Sequence, residues 1–70
     1  MSRVKELRES ANIKQECMAE LIGVSSASYS KKENGQVKYN LEEAKKIADF
    51  FGKSIEAIFF ADEVSKSETI

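Results

Sequence analysis

The stretch Gln15–Gly35, QECMAELIGVSSASYSKKENG, decides the fold. Its first part carries an apolar stripe at helical spacing, and Gly23 follows that stripe with the left-handed backbone tolerance that a helix exit often needs. Ser25 is a favourable N-cap for a second helix, and Asn34-Gly35 is a strong signal for the end of that helix. The stretch therefore predicts two short helices joined by a tight turn, at 15–22 and 26–33.

The two predicted helices differ in what holds them. Ala19 is small enough to allow a steep helix crossing, and Val24 can insert the turn into the core. Cys17 lies beside the apolar stripe, so we expect it to be a small core residue. The second helix has one large apolar anchor, Tyr29, among small and polar residues. A helix this poor in apolar side chains is predicted to present its outer face for a purpose.

Three further helices flank this pair. One spans about 2–11, with Ser2 as its cap and Asn12 at its end. Asn40 and Glu43 form a capping-box pattern for a helix that Gly52 ends. Ser54 caps a last short helix, whose inward residues are predicted to be Ile55, Ile58 and Phe59. We expect the domain to occupy residues 1–61, followed by a frayed polar tail at 62–70.

Length and charge limit the possibilities. The chain has 70 residues, of which 41% are hydrophobic and 33% charged, as expected for one small globular domain. The net charge is −1, but residues 1–40 carry seven Lys/Arg against five Asp/Glu, and residues 41–70 carry four against seven. The first part is therefore +2 and the last part −3, so a basic excess accompanies the helix pair.

Several classes of protein are disfavoured. No apolar run reaches the length of a membrane helix, and the start is too polar for a secretory signal, so we expect a cytoplasmic location and no membrane partner. With no histidine and one cysteine, the chain offers no catalytic triad and no zinc ligand set. We therefore predict no enzymatic activity, no metal and no cofactor.

Taken with its flanks, the stretch resembles the Cro/C1 repressor-like helix-turn-helix (XRE-type) family. Besides the helix pair, the resemblance rests on Arg8, on Glu33-Asn34-Gly35 and on GKSIEAIF at 52–59, and it covers roughly residues 3–60. It implies an all-α fold, a compact five-helix bundle of the lambda-repressor-like DNA-binding type. It also implies that the second helix of the pair lies in the major groove of double-stranded DNA.

The resemblance assigns candidate residues to three roles. Residues expected to contact bases are Ser26, Ala27, Ser30 and Lys31. Residues expected to contact phosphates are Gln15, Ser25, Asn34 and Lys38. Arg8 and Glu33 are expected to form a partly buried, structural ion pair between the first and third helices.

Three residues depart from the family pattern. Lys14 stands where a Ser or Thr cap is preferred, so the second helix is expected to fray at its start. Lys32 stands at a position that is usually apolar; either its stem covers the core while the ammonium reaches water, or its helix is less well seated. Tyr39 stands where proline is common, which is expected to loosen the following loop.

The function implied is a transcriptional regulator. We expect a repressor that binds a palindromic operator as a homodimer, with exposed Phe60 or Phe50 at the dimer contact. An antitoxin that also binds a toxin is an alternative use of the same fold, with the acidic tail as the candidate contact. A second alternative is a protein-interaction module that has kept the fold and lost DNA binding, and the acidic pI is the feature that supports this alternative.

Overall fold

The computed structural model describes residues 3–65, and its regular structure there is helical apart from one isolated bridge. The all-α prediction is confirmed, and both helices of the central pair have the predicted bounds. The predicted cap Ser2 lies outside the described residues. The helices are α1 Arg3–Ser10, α2 Gln15–Ile22, α3 Ser26–Glu33, α4 Leu41–Phe51 and α5 Ile55–Ile58, followed by a short 3-10 turn, Ala61–Glu63.

Left-handed residues end three of these helices. Gly23 has φ 76° and Gly52 has φ 67°, and each is followed by an amide that reaches back to close the last turn, as Val24 N does to Ala19 O at 3.0 Å. Asn12 closes α1 in the same way, with φ 59°. Asparagine tolerates this conformation better than most residues, so the predicted end of α1 is confirmed.

From α2 onward the helix starts follow the sequence-based expectations. The Ser25 hydroxyl accepts a hydrogen bond from Ser28 N at 3.1 Å, and Asn40 and Glu43 form a complete capping box. Lys14 precedes α2 without any side-chain cap, as expected from its lack of an acceptor. α3 and α4 therefore begin on fixed backbone, which sets the direction of α3.

The core lies where α2 packs against α3 and α4 and where α4 packs against α5. Ala19 is buried at the crossing of α2 with its neighbours, and Tyr29 is fully buried. No helix of the described residues is long and apolar enough to cross a membrane. The buried apolar residues are Val4, Met18, Ala19, Ile22, Tyr29, Tyr39, Ala44, Ile47, Ala48, Ile58 and Phe59.

The prediction that Cys17 belongs to the core is wrong, because Cys17 is exposed. The buried face of α2 is centred on Met18, Ala19 and Ile22. Residue 17 is rotated by about 100° from Met18, away from that face. Adjacency in the sequence to an apolar stripe therefore did not imply membership of it.

The prediction that Tyr39 loosens its loop is also wrong. Its side chain is buried and its ring packs edge-on against Phe59, with 5.0 Å between ring centroids. Its backbone pairs with residues 63–65: Tyr39 N donates to Glu63 O at 3.0 Å, and Ser65 N donates to Tyr39 O at 2.8 Å. A proline has no N–H and could not make the first of these bonds.

This pairing also bears on the expected tail. Residues 62–65 were expected to fray, but they form the end of the 3-10 turn and a bridge between Val64 and Tyr39. The physical reason is that the unpaired backbone of Tyr39 offers both a donor and an acceptor to the returning chain. Residues 66–70 lie outside the described part, and the domain boundary itself stays a prediction.

We predict that Tyr39→Pro destabilises the protein by about 3 kcal/mol, because it removes a buried ring and a backbone donor together. Urea unfolding measures the change. Tyr39→Phe is the matched control: the Tyr39 hydroxyl is buried and makes no hydrogen bond within the described residues, so its removal should change stability by less than about 1 kcal/mol. Equal stability of the two variants would contradict the assigned role of Tyr39.

Candidate nucleic-acid interface

Helix α3 has an inner and an outer face. Tyr29 and Glu33, one helical turn apart, point inward and are buried. Elsewhere on α3 Ser26, Ala27 and Lys31 are exposed, and Ser30 is half-buried. Ala27 and Lys31 lie roughly opposite Tyr29 and Glu33 at about 100° per residue, and Ser26 stands at the exposed first position of the helix. Three of the four residues expected to contact bases are therefore freely accessible.

The carboxylate of Glu33 binds donors from three parts of the chain. Its side chain is 0% exposed. Arg8 donates to it twice, from Nε to Oε2 at 2.8 Å and from Nη2 to Oε1 at 3.1 Å. The Tyr29 hydroxyl donates to Oε2 at 2.7 Å, and Gln15 Nε2 donates to Oε1 at 2.9 Å. We call this set, Arg8, Gln15, Tyr29 and Glu33, the Glu33 cluster.

The Glu33 cluster is electrostatically satisfied despite its burial. Burial acts to raise the pKa of the Glu33 carboxyl, but the hydrogen bonds it accepts, from Arg8 foremost, outweigh burial and hold that pKa below its ordinary value. The hydrogen bond to Glu33 raises the pKa of the Arg8 guanidinium. Burial, followed by the bond to Glu33, raises the pKa of the Tyr29 hydroxyl. The carboxylate is therefore charged at neutral pH, and the phenol that donates to it is neutral.

Arg8 and Gln15 extend the cluster to the turn before α2. A third Arg8 nitrogen, Nη1, donates to Ile13 O at 2.8 Å, which fixes the connection between α1 and α2. Gln15 stands at the first position of α2, where the backbone N–H groups have no partner inside the helix. Its bond to Glu33 uses one of its two amide hydrogens, which leaves the other for a ligand.

Lys32 makes two contacts that the sequence did not indicate. Its ammonium pairs with Glu43 Oε1 at 3.0 Å and donates to Lys38 O at 3.1 Å, and its side chain is 12% exposed. A partly buried carboxylate and a carbonyl therefore help to solvate this ammonium. Since Glu43 also caps α4 through Asn40 N at 3.0 Å, Lys32 ties α3 to the loop and to α4.

The remaining candidates lie on loops around α3. Ser25 precedes α3, and Asn34 and Lys38 follow it, all three exposed. Gln15 belongs to α2, and its hydrogen bond to Glu33 places its side chain beside the C-terminal end of α3. The structure therefore places the expected phosphate contacts at both ends of the α3 outer face. Exposed Phe50 (54%) and Phe60 (49%) lie on other elements, and sequence analysis missed a third exposed apolar side chain, Val37 (44%).

A helix that displays small polar side chains and is joined by a tight turn to a preceding helix has the arrangement of a helix-turn-helix motif. The family model described as "Helix-turn-helix" matches residues 4–58. The chain thus belongs to the Cro/C1-type helix-turn-helix family and is a DNA-binding regulator of that class. Neither the curated proteins nor the solved structures gave a match.

We predict that Glu33→Gln lowers the free energy of unfolding by about 3 kcal/mol, because it leaves the poorly exposed Arg8 guanidinium without its counter-charge. Urea unfolding near neutral pH measures this. Glu9→Gln is the control: Glu9 approaches the same guanidinium, at 3.7 Å, but is 59% exposed. Its loss should cost less than about 1 kcal/mol. A similar cost for both variants would show that burial of the pair is irrelevant.

The Glu33 cluster should also make stability depend on acid pH. Because the folded-state pKa of Glu33 lies below its ordinary value of 4.5, the unfolded chain binds this proton more readily than the folded one. The stabilisation is present above about pH 4.5 and is lost as pH falls through the folded-state pKa. Urea unfolding at a series of pH values should show a steeper acid decline for the parent chain than for Glu33→Gln. Parallel declines would contradict the assignment.

Proposed function

We propose that the chain is a sequence-specific repressor that binds double-stranded DNA as a homodimer on a palindromic operator. The observation that carries the proposal is the division of α3 into two faces. Tyr29 and Glu33 hold one face to the domain, and the other leaves Ser26, Ala27 and Lys31 free. A helix held in this way can enter the major groove without losing its own fold.

The outer face offers the chemistry of base recognition. A serine hydroxyl at position 26 or 30 both donates and accepts, so it can bind any base edge within reach. The methyl group of Ala27 fits against a thymine methyl, and the ammonium of Lys31 favours the acceptors of guanine. Lys31 is the charged member of this set and is expected to contribute most to the choice of base.

Phosphate contacts would fix the position of α3 in the groove. The Ser25 hydroxyl accepts from Ser28 N at 3.1 Å and keeps its own O–H to donate to a phosphate oxygen. Gln15 would use its remaining amide hydrogen together with the N-terminal backbone of α2. Asn34 would bind the backbone beyond the other end of α3. These contacts orient the domain and carry no sequence information.

Repression would follow from occupancy. Two copies related by a two-fold axis would place their α3 helices in successive major grooves, about 34 Å apart. A dimer bound in this way covers the DNA that a polymerase needs. Control would then come from the assembly of the dimer or from a further partner.

The test is selection of bound sequences from a random duplex pool, followed by affinity measurements of the winner against salt concentration. We expect a palindrome and an affinity that falls steeply as salt rises. Lys31→Ala should change the preferred base at one position of each half-site. Asn34→Ala should weaken all sequences alike, because it removes a phosphate contact.

Lys53→Ala is the control for removal of a lysine. Lys53 follows α4 and lines a groove with residues of α1 and α5, to which α3 contributes no residue. It should leave both the selected sequence and the salt slope unchanged. If no sequence is enriched and binding stays weak at low salt, the regulator proposal fails, and capture of a protein partner becomes the next experiment.

A further inference from the structure

A groove with two apolar and four charged side chains lies beside the loop that follows α3. Two of the three exposed large apolar side chains of the described residues, Val37 and Phe60, line it together. One wall is the loop that follows α3, and the other is the chain from Phe60 onward. We call it the Val37–Phe60 groove; its lining is Lys32, Gly35, Val37, Lys38, Phe60, Asp62 and Glu63.

Phe60 is held in place although its ring is half exposed. Its backbone N–H donates to Glu63 Oε1 at 2.8 Å. The Arg3 guanidinium lies 4.5 Å from the centre of the ring, and Arg3 Nη1 donates to Ala57 O at 2.9 Å. A ring fixed before binding loses little conformational entropy when a partner covers it. Its exposure is therefore not a consequence of a loose chain end.

The charges of the groove are complementary to each other. Lys38 lies on the loop wall and Asp62 on the opposite wall, and both are exposed. Within residues 3–65 no ion pair joins either side chain to another residue. A two-fold axis through the groove can set Lys38 of each copy against Asp62 of the other, and the symmetry then makes that contact twice. Opposite charges on the two walls therefore allow the groove to pair with a second copy of itself.

The position of the groove fits the operator geometry. Its loop wall begins two residues after α3 ends, so an interface through this loop lies beside the C-terminal end of α3 in both copies. Half-sites one helical turn apart require the two α3 helices to lie about 34 Å apart on one side of the dimer, and an interface at this position allows that. Phe50 lacks this continuity: it lies on α4, where its ring packs edge-on against Phe51 at 5.1 Å.

We propose that the Val37–Phe60 groove is the homodimer interface, with Phe60 of each copy against Val37 of the other and Lys38 opposite Asp62. The inference rests on the proposed function, whose operator requires a dimer. Of the two phenylalanines expected at the dimer contact, the proposal assigns Phe60 and not Phe50, and it adds Val37. The occupant of the groove is a second copy of this chain.

The experiment is sedimentation equilibrium of the full chain without DNA. Phe60→Ser should weaken self-association at least tenfold. Phe50→Ser is the matched control, since Phe50 is at least as exposed, and it should leave self-association unchanged. Circular dichroism establishes that each variant is folded. A monomeric parent chain at millimolar concentration, or weakening by Phe50→Ser alone, overturns the proposal.

A charge exchange tests the interface without touching the aromatic ring. Lys38→Glu and Asp62→Lys should each weaken self-association, and the double variant should recover it, because both cross-pairs are then restored with reversed sign. Failure of the double variant to recover contradicts the proposed pairing. Binding of the Phe60→Ser variant to a duplex with a single selected half-site distinguishes failure of this proposal from failure of the proposed function. If the variant binds the half-site and still dimerises like the parent chain, the interface alone is refuted. If it does not bind DNA, the proposed function is refuted.

Discussion

One buried carboxylate holds the DNA-binding half of the molecule together. Glu33 is fully covered and accepts hydrogen bonds from Arg8 on α1, Gln15 at the start of α2 and Tyr29 on its own helix. A buried charge is tolerated only when its partners are all present. The burial of Glu33 therefore requires α1, α2 and α3 to lie close together, and its hydrogen bonds in turn hold these three helices in that position. For a domain with a thin core, this constraint defines the position of α3 as much as apolar packing does.

The Glu33 cluster explains how a helix with so little apolar surface is held. Glu33 and Tyr29 anchor the middle and end of α3 from within, and Ser25 fixes its start. Lys32 adds a second tie to the loop and to α4 through Glu43. All of these contacts use one side of the helix. The residues on the other side make none of these contacts, so they can differ with the DNA sequence that is bound without loss of the fold.

Local signals made most of the fold predictable. Helix bounds followed from Gly23, from the capping pair of Asn40 and Glu43 and from apolar spacing, and the resemblance to a known family supplied the candidate site. What the sequence could not reveal were contacts between distant residues. The sequence around Tyr39 does not indicate that its backbone pairs with that of Glu63. The sequence around Lys32 does not indicate that its ammonium pairs with Glu43. The exposure of Val37 likewise depends on how elements pack, whereas that of Cys17 follows from the helical period of α2, because residue 17 is rotated away from the buried face.

The acidic balance of the chain is compatible with a DNA-binding face because charge is distributed by pairing. From Ser25 to Leu41 the sequence contains three lysines and one glutamate. Glu33 is buried against Arg8, and Lys32 is neutralised by Glu43. The exposed charges of this stretch are then Lys31 and Lys38, both positive. Net charge averages over surfaces that no single ligand meets, so here the local sign matters and the total does not.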